Sequence, residues 1–223
     1  MFSILIGNRR LFIVFDKSYR TIRKNGQSEI EIKKSKFICS IARVSSEDEA
    51  KEFLQVIQKE HWKANHHCFA TILGKNSEIQ RFSDDGEPTG TAGIPMLEVL
   101  KKNQLVNVVA VVTRYFGGTK LGAGGLIRAY THSVSQAIQK IGIIEKKLQQ
   151  EIFVKINYAQ LGKLQHFLEQ NKYVIKETTF LADVTLCVIV DNFEDFEKEL
   201  IELLNGNVTL TKGEKVFVEK IVT

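Results

Sequence analysis

The chain has 223 residues, 43% of them hydrophobic, and a formal net charge of +5. That apolar fraction excludes a disordered chain and supplies core for one large or two modest domains. The mild basic excess allows an acidic partner. Three cysteines far apart in sequence, Cys39, Cys68 and Cys187, argue for free thiols in a reducing cytoplasm and against a disulfide framework.

Residues 1–15 are apolar but interrupted by Arg9 and Arg10, too short to span a bilayer, and followed by no small-residue cleavage site. They read as an upstream start or an added strand, so residues 1–16 form an extra segment ahead of the first domain. Residues 19–22 and 29–32 flank Asn25-Gly26, a dipeptide that favours a two-residue hairpin turn. Residues 36–44 alternate as a third strand. Ser46-Glu-Asp-Glu49 has the form of a capping box, and Ala50, Phe53, Leu54 and Ile57 then share one helical face. Residues 68–73 and 79–83 read as a second hairpin around Gly74-Lys75-Asn76. Pro95 opens a helix running to about Leu100. A valine-rich strand from Val106 follows, then a glycine loop and a helix from about Leu126 to about Ile141.

A different rhythm begins near Gln150. Strands at 151–156, 173–180, 183–190 and 208–218 alternate with helices at 160–170 and 193–204, which is the β-α-β-β-α-β order of a ferredoxin-like domain. Glu145-Lys-Lys147 reads as a short linker. The domains expected are 17–146 and 147–223, and the two do not repeat each other.

Two segments carry candidate chemistry. The valine strand ends in Arg114-Tyr115-Phe116 and empties into a loop bearing Gly117, Gly118, Gly122, Gly124 and Gly125. A strand that passes through glycines into a helix N-terminus presents backbone N–H groups and a positive dipole end to an anion. Arg114, Lys120 and Arg128 are expected to add mobile positive charge. The nucleotide fingerprints do not fit. Lys120 precedes Leu121 where a Walker motif needs Ser or Thr, and a G-x-G-x-x-G would need glycine at Ile127. The second segment is Arg81-Phe-Ser-Asp-Asp-Gly-Glu-Pro-Thr-Gly-Thr-Ala-Gly-Ile-Pro95. Here Asp84, Asp85 and Glu87 group their carboxylates around a tight turn, either to hold a hard cation or to cap turns and pair with Arg81 or Arg114. The second reading is preferred, and no metal or cofactor is expected.

His61, His66, His67 and Cys68 invite a zinc reading. There is no C-x-x-C, however, and adjacent strand histidines point to opposite faces, so hydrogen-bonded support of the loop is the better reading. His132 reads as an ordinary helix residue. Trp62 is expected in the core.

The stretch from Arg81 to Gly93, the stretch from Arg114 to Leu126, and Asn65-His66-His67-Cys68 together resemble the IMPACT/YigZ family. The resemblance covers roughly residues 17–150, and the remainder is similar to the small C-terminal domain of bacterial members. It implies an α+β chain with an N-terminal domain of the ribosomal protein S-five domain-two-like fold. The C-terminal domain would be ferredoxin-like, similar to domains of elongation factor G. It also implies translation-linked regulation, since eukaryotic relatives bind the activator of an initiation-factor kinase. The leading expectation is therefore a cytoplasmic, non-enzymatic protein that binds RNA or a ribosome-associated or translation-factor protein. Its expected binding set is Arg81, Ser83, Asp84, Asp85, Glu87, Thr89, Thr91, Arg114, Tyr115, Phe116, Lys120, Arg128 and the five loop glycines. The alternative is an enzyme on a phosphorylated small molecule, with the glycine loop as phosphate cradle and the carboxylates holding magnesium or acting as base. A single closed pocket shared by carboxylates and loop would favour the enzyme; an open face would favour the binding protein.

Overall fold

The computed structural model describes residues 4–6, 9–11 and 18–222. Of the extra segment, strands β1 (Ile4–Ile6) and β2 (Arg9–Leu11) pair antiparallel; the rest of residues 1–17 lies outside the described residues. The described residues divide into two compact units, one built on residues 18–146 with 219–222 and one on residues 147–218 with β1 and β2.

In the larger unit, β3 (Tyr19–Ile22), β4 (Gly26–Ile32), β5 (Ser35–Arg43) and helix α1 (Glu47–Glu60) are followed by β6 (His66–Leu73) and β7 (Ile79–Ser83). Helix α2 (Gly93–Lys102), β8 (Val108–Tyr115) and helix α3 (Ala123–Ile141) complete it. The main sheet is antiparallel in the order β4-β5-β8-β6-β7. Its central strand explains the valine run. Val108, Ala110 and Val112 join the core that includes Met96, Leu100, Leu126, Tyr130 and Val134 of α2 and α3. Val109 and Val111 face the opposite way into a core with Ala50 and Ile57 of α1. A strand buried on both faces has no polar alternation to show.

Local signals succeeded where they concerned one element. Ser46 caps α1, its side chain accepting from the Glu49 N–H at 3.2 Å. Glu49 reaches back to Ser45 instead of Ser46, bonding its N–H and hydroxyl at 2.7 Å each, so the box is displaced by one residue. The Asn25-Gly26 hairpin does not exist. β4 pairs with β5 through a two-residue turn at Lys33 and Lys34, both in the left-handed region at φ 48° and 66°. β3 pairs instead with residues 143–146, more than a hundred positions away in sequence. Gly26 serves a different need: a Cβ there would stand 2.9 Å from the Ile141 side chain, and Asn25 accepts the Arg43 N–H at 2.8 Å. Pro95 is the third residue of α2, not its first.

Glu145–Lys147 is strand, not loop. It lies inside β9 (Ile143–Ile156), and the chain crosses from one unit to the other within that strand. The smaller unit continues with α4 (Leu161–Gln170), β10 (Val174–Phe180), β11 (Val184–Val190), α5 (Phe193–Leu203) and β12 (Thr209–Ile221). The sheet order β10-β11-β9-β12 is the ferredoxin-like arrangement. Ile152, Val154, Leu186 and Val188 form its core with Leu164, Leu168, Phe196 and Leu200 of the helices. Among the described residues no helix is long and apolar enough to cross a membrane.

Candidate functional site: the glycine loop and the acidic loop

The acidic loop is held by its own carboxylates. Asp84 Oδ1 accepts from the Ala92 and Gly93 N–H groups at 3.0 and 2.8 Å, and Oδ2 accepts from the Gly90 N–H at 2.8 Å. These donors lie at or just before the start of α2, where backbone N–H groups have no helical partner. Burial pushes the Asp84 carboxyl up, but the amides of Gly90, Gly93 and Ala92 outweigh it and hold the group below the ordinary carboxylate range. Asp85 Oδ2 accepts the His67 N–H at 2.5 Å, its own N–H donates to Ser83 Oγ at 3.2 Å, and its carbonyl lies 2.8 Å from His66 Nδ1. A carbonyl only accepts, so Nδ1 carries the His66 proton. The paired histidines thus tie the loop to β6.

Glu87 and Arg114 are buried at 8% and 5% exposure and meet at 2.6 Å. The Tyr130 hydroxyl donates to the same Glu87 oxygen at 2.8 Å. Arg114 therefore cannot act as the mobile cation expected of it: its guanidinium lies over the rings of Phe37 and Phe116, and its Nε has no hydrogen-bond partner. Breaking such a pair from one side strands a charge in a low dielectric, at a cost of about 3–5 kcal/mol. Cys68 Sγ lies 2.9 Å from the Asp84 carbonyl and 3.3 Å from the Tyr130 hydroxyl, and burial pushes its thiol up to about 12. With no exposed surface, it lacks the accessible setting of a reactive cysteine.

The glycine loop sits on the Lys33-Lys34 turn. A Cβ on Gly117 would stand 2.0 Å from the Lys34 carbonyl, so only glycine allows the two backbones to approach. The Gly117 N–H donates to Ser35 Oγ at 3.1 Å and the Phe116 N–H to Asn65 Oδ1 at 2.8 Å. Gly118 and Gly122 take left-handed φ of 85° and 71°, and Gly122 begins α3 with no side-chain cap. Gly124 and Gly125 are not loop residues at all: they form the first turn of α3, three residues earlier than its expected start.

Phe116, Lys120, Ile127 and Arg128 are exposed, as are Lys33 and Lys34. Lys33, Leu121, Gly125, Arg128 and His132 line one open depression that includes no carboxylate. Tyr115 is half-buried with its hydroxyl 3.1 Å from His61 Nδ1. Arg81 pairs with Glu47 at 3.0 Å, and the hydroxyl of buried Thr91 donates to the carbonyl of exposed Pro88 at 2.6 Å. Thr89 is exposed. The expected residues thus separate into a closed acidic loop and an open glycine-loop face. Trp62, expected in the core, is 71% exposed. Lys33, Lys34 and Ser35 were missed because their turn lacks Gly or Asn, and Tyr130 because one helix residue carries no local signal. No group of three or more His, Cys, Asp or Glu suited to a metal occurs among the described residues.

The Impact N-terminal domain model matches residues 33–138, and a domain of unknown function, DUF1949, matches residues 154–207. The IMPACT family member YvyE of Bacillus subtilis is 48% identical over 207 residues, spanning 92% of this chain and 95% of the relative. YigZ of Escherichia coli is 37% identical, spanning 81% and 90%. A crystal structure described as a hypothetical protein aligns with TM-score 0.57 at 35% identity, covering 88% of this chain and 98% of that one. With motifs, fold and both domain matches in agreement, the chain belongs to the IMPACT family.

Proposed function

We propose that this protein is a non-enzymatic binding module acting in translation or its regulation, and that it contacts RNA through the glycine-loop face. One observation carries the reading. Lys33, Lys34, Lys120 and Arg128 are exposed, form no ion pair among the described residues, and surround the uncapped start of α3. Cations that no carboxylate neutralises, beside free helix N–H groups, suit a phosphate backbone. Phe116, 46% exposed, is the stacking group of this face, since the Tyr115 hydroxyl is engaged with His61. Family membership supports the translation setting, the role that the resemblance implies for eukaryotic members. The enzyme reading finds less support. Asp84 and Glu87 are spent on backbone amides, Arg114 and Tyr130, and neither lines the depression beside Arg128.

Binding of single-stranded RNA measured across salt concentrations tests the proposal. Affinity should fall with a log–log slope of about −0.7 per phosphate neutralised. Lys120→Ala and Arg128→Ala should each flatten the slope by nearly one contact. Phe116→Ala should cost roughly 1–3 kcal/mol with the slope unchanged. Variants that stay folded and bind RNA like the parent remove RNA as the partner of this face and leave a protein partner in its place.

A further inference from the structure

A second cleft, of about 500 Å³, is built wholly from the unit of residues 18–146 and takes no residue from the glycine loop or the acidic loop. That volume is typical of small-molecule sites. Three cations line it from three separate elements: Arg20 from β3, Lys75 from the β6–β7 turn and Lys101 from the last turn of α2. One carboxylate, Glu145, shares the lining and accepts the Ser18 hydroxyl at 3.1 Å. Arg20 forms no ion pair among the described residues, and Lys101 pairs with Glu98 on its own helix at 3.0 Å. Leu105 and Val106 add apolar surface.

The frame around the cations is fixed by backbone bonds. The Val106 N–H donates to the Arg20 carbonyl at 2.9 Å, which locks β3 to the segment leaving α2. The last carbonyls of α2 are already capped: Gln104 N–H bonds Lys101 at 2.8 Å and Leu105 N–H bonds Leu100 at 3.0 Å. This is a Schellman turn, and it removes much of the repulsion an anion would meet at a helix C-terminus. Its left-handed position, where glycine fits without steric cost, is occupied by Gln104 at φ 57°. Ser77, also in the lining, likewise holds φ 60°. Both therefore bring polar side chains to the lining from backbone positions that a glycine would fill more easily.

We infer that this cleft binds a small phosphorylated polyol or nucleoside, with the phosphate on Arg20, Lys75 and Lys101 and a ligand hydroxyl on Glu145. A guanidinium with two ammonium groups supplies three positive charges, which Glu145 lowers to a net +2, the charge that balances a phosphate dianion. A carboxylate in the same cleft repels a bare anion but accepts from a hydroxyl, so the ligand must carry both. A cleft of about 500 Å³ is large enough for one phosphorylated unit. The inference does not rest on RNA binding elsewhere.

The test is calorimetric titration of the full chain with ribose 5-phosphate and adenosine monophosphate, with ribose and inorganic phosphate as separate arms. Saturable one-to-one binding is expected for at least one phosphorylated probe, weaker binding for inorganic phosphate and none for ribose. Arg20→Gln should weaken the phosphorylated probe by at least about tenfold, since it removes a charge-assisted hydrogen-bond donor. Lys101→Gln, at an exposed position, makes the same test if Arg20→Gln fails to fold. Glu145→Gln should narrow the preference over inorganic phosphate, and Lys120→Gln, whose effect is confined to the glycine-loop face, should leave the affinity of the cleft for the phosphorylated probe as it was. The inference is overturned if neither phosphorylated probe saturates, if binding survives both Arg20→Gln and Lys101→Gln, or if Lys120→Gln abolishes it.

Discussion

Removing the Asp84 carboxylate should destabilise the larger unit by an amount that the geometry sets. Asp84→Ala leaves three N–H groups without acceptors, and two of them, on Ala92 and Gly93, are buried. A buried unsatisfied donor costs about 1–3 kcal/mol, while water can replace the bond to half-buried Gly90, so the two buried donors together cost about 2–6 kcal/mol. Asp84→Asn should cost less, about 1–3 kcal/mol. Its carbonyl can keep both bonds made by Oδ1, but its amide nitrogen then faces the Gly90 N–H donor to donor. The pH dependence has a definite sign. A carboxyl held below its ordinary value stabilises the fold at neutral pH and loses that contribution as pH falls through the lowered folded value. The gap between parent and Asp84→Asn should thus be full above about pH 5 and shrink below the ordinary value of 3.8. Urea unfolding followed by circular dichroism measures the gap, and amide exchange at Gly90, Ala92 and Gly93 localises it. A loss below about 1 kcal/mol for Asp84→Ala, or equal losses for both variants, would refute the reasoning.

Gly117→Ala should fold with the glycine loop displaced, or lose about 1–3 kcal/mol or more, because its Cβ would meet the Lys34 carbonyl at 2.0 Å. Unchanged stability together with unchanged amide shifts at Ser35 would show that the two backbones are not in contact. Cys39 and Cys68, both with thiols pushed up to about 12 by burial, should resist iodoacetamide at pH 8 until denaturant is added. Rapid native labelling of Cys68, read by mass spectrometry, would contradict its place between Asp84 and Tyr130.

Features encoded within a single element were legible from its own residues. The valine run reads as a buried strand, Ser46 could cap α1 from its own side chain, and the element order after residue 150 specified a ferredoxin-like sheet. The motif stretches named the family because they extend over many positions and do not depend on register. Tertiary structure decided what depends on residues far apart in the chain. Asn25-Gly26 carried the stronger hairpin signal, yet β3 found its partner at residues 143–146, and the working turn fell to Lys33-Lys34. Arg114 reads in sequence both as a loop cation and as a partner for the grouped carboxylates; its burial against Glu87 was decided by the way the acidic loop folds onto the end of β8. Gly124 and Gly125 look like loop residues, but the apolar face from Leu126 onward draws them into the first turn of α3. Periodicity and caps act over a few residues, whereas strand partners, buried ion pairs and clefts such as the one lined by Arg20, Lys75 and Lys101 form only when the whole unit closes.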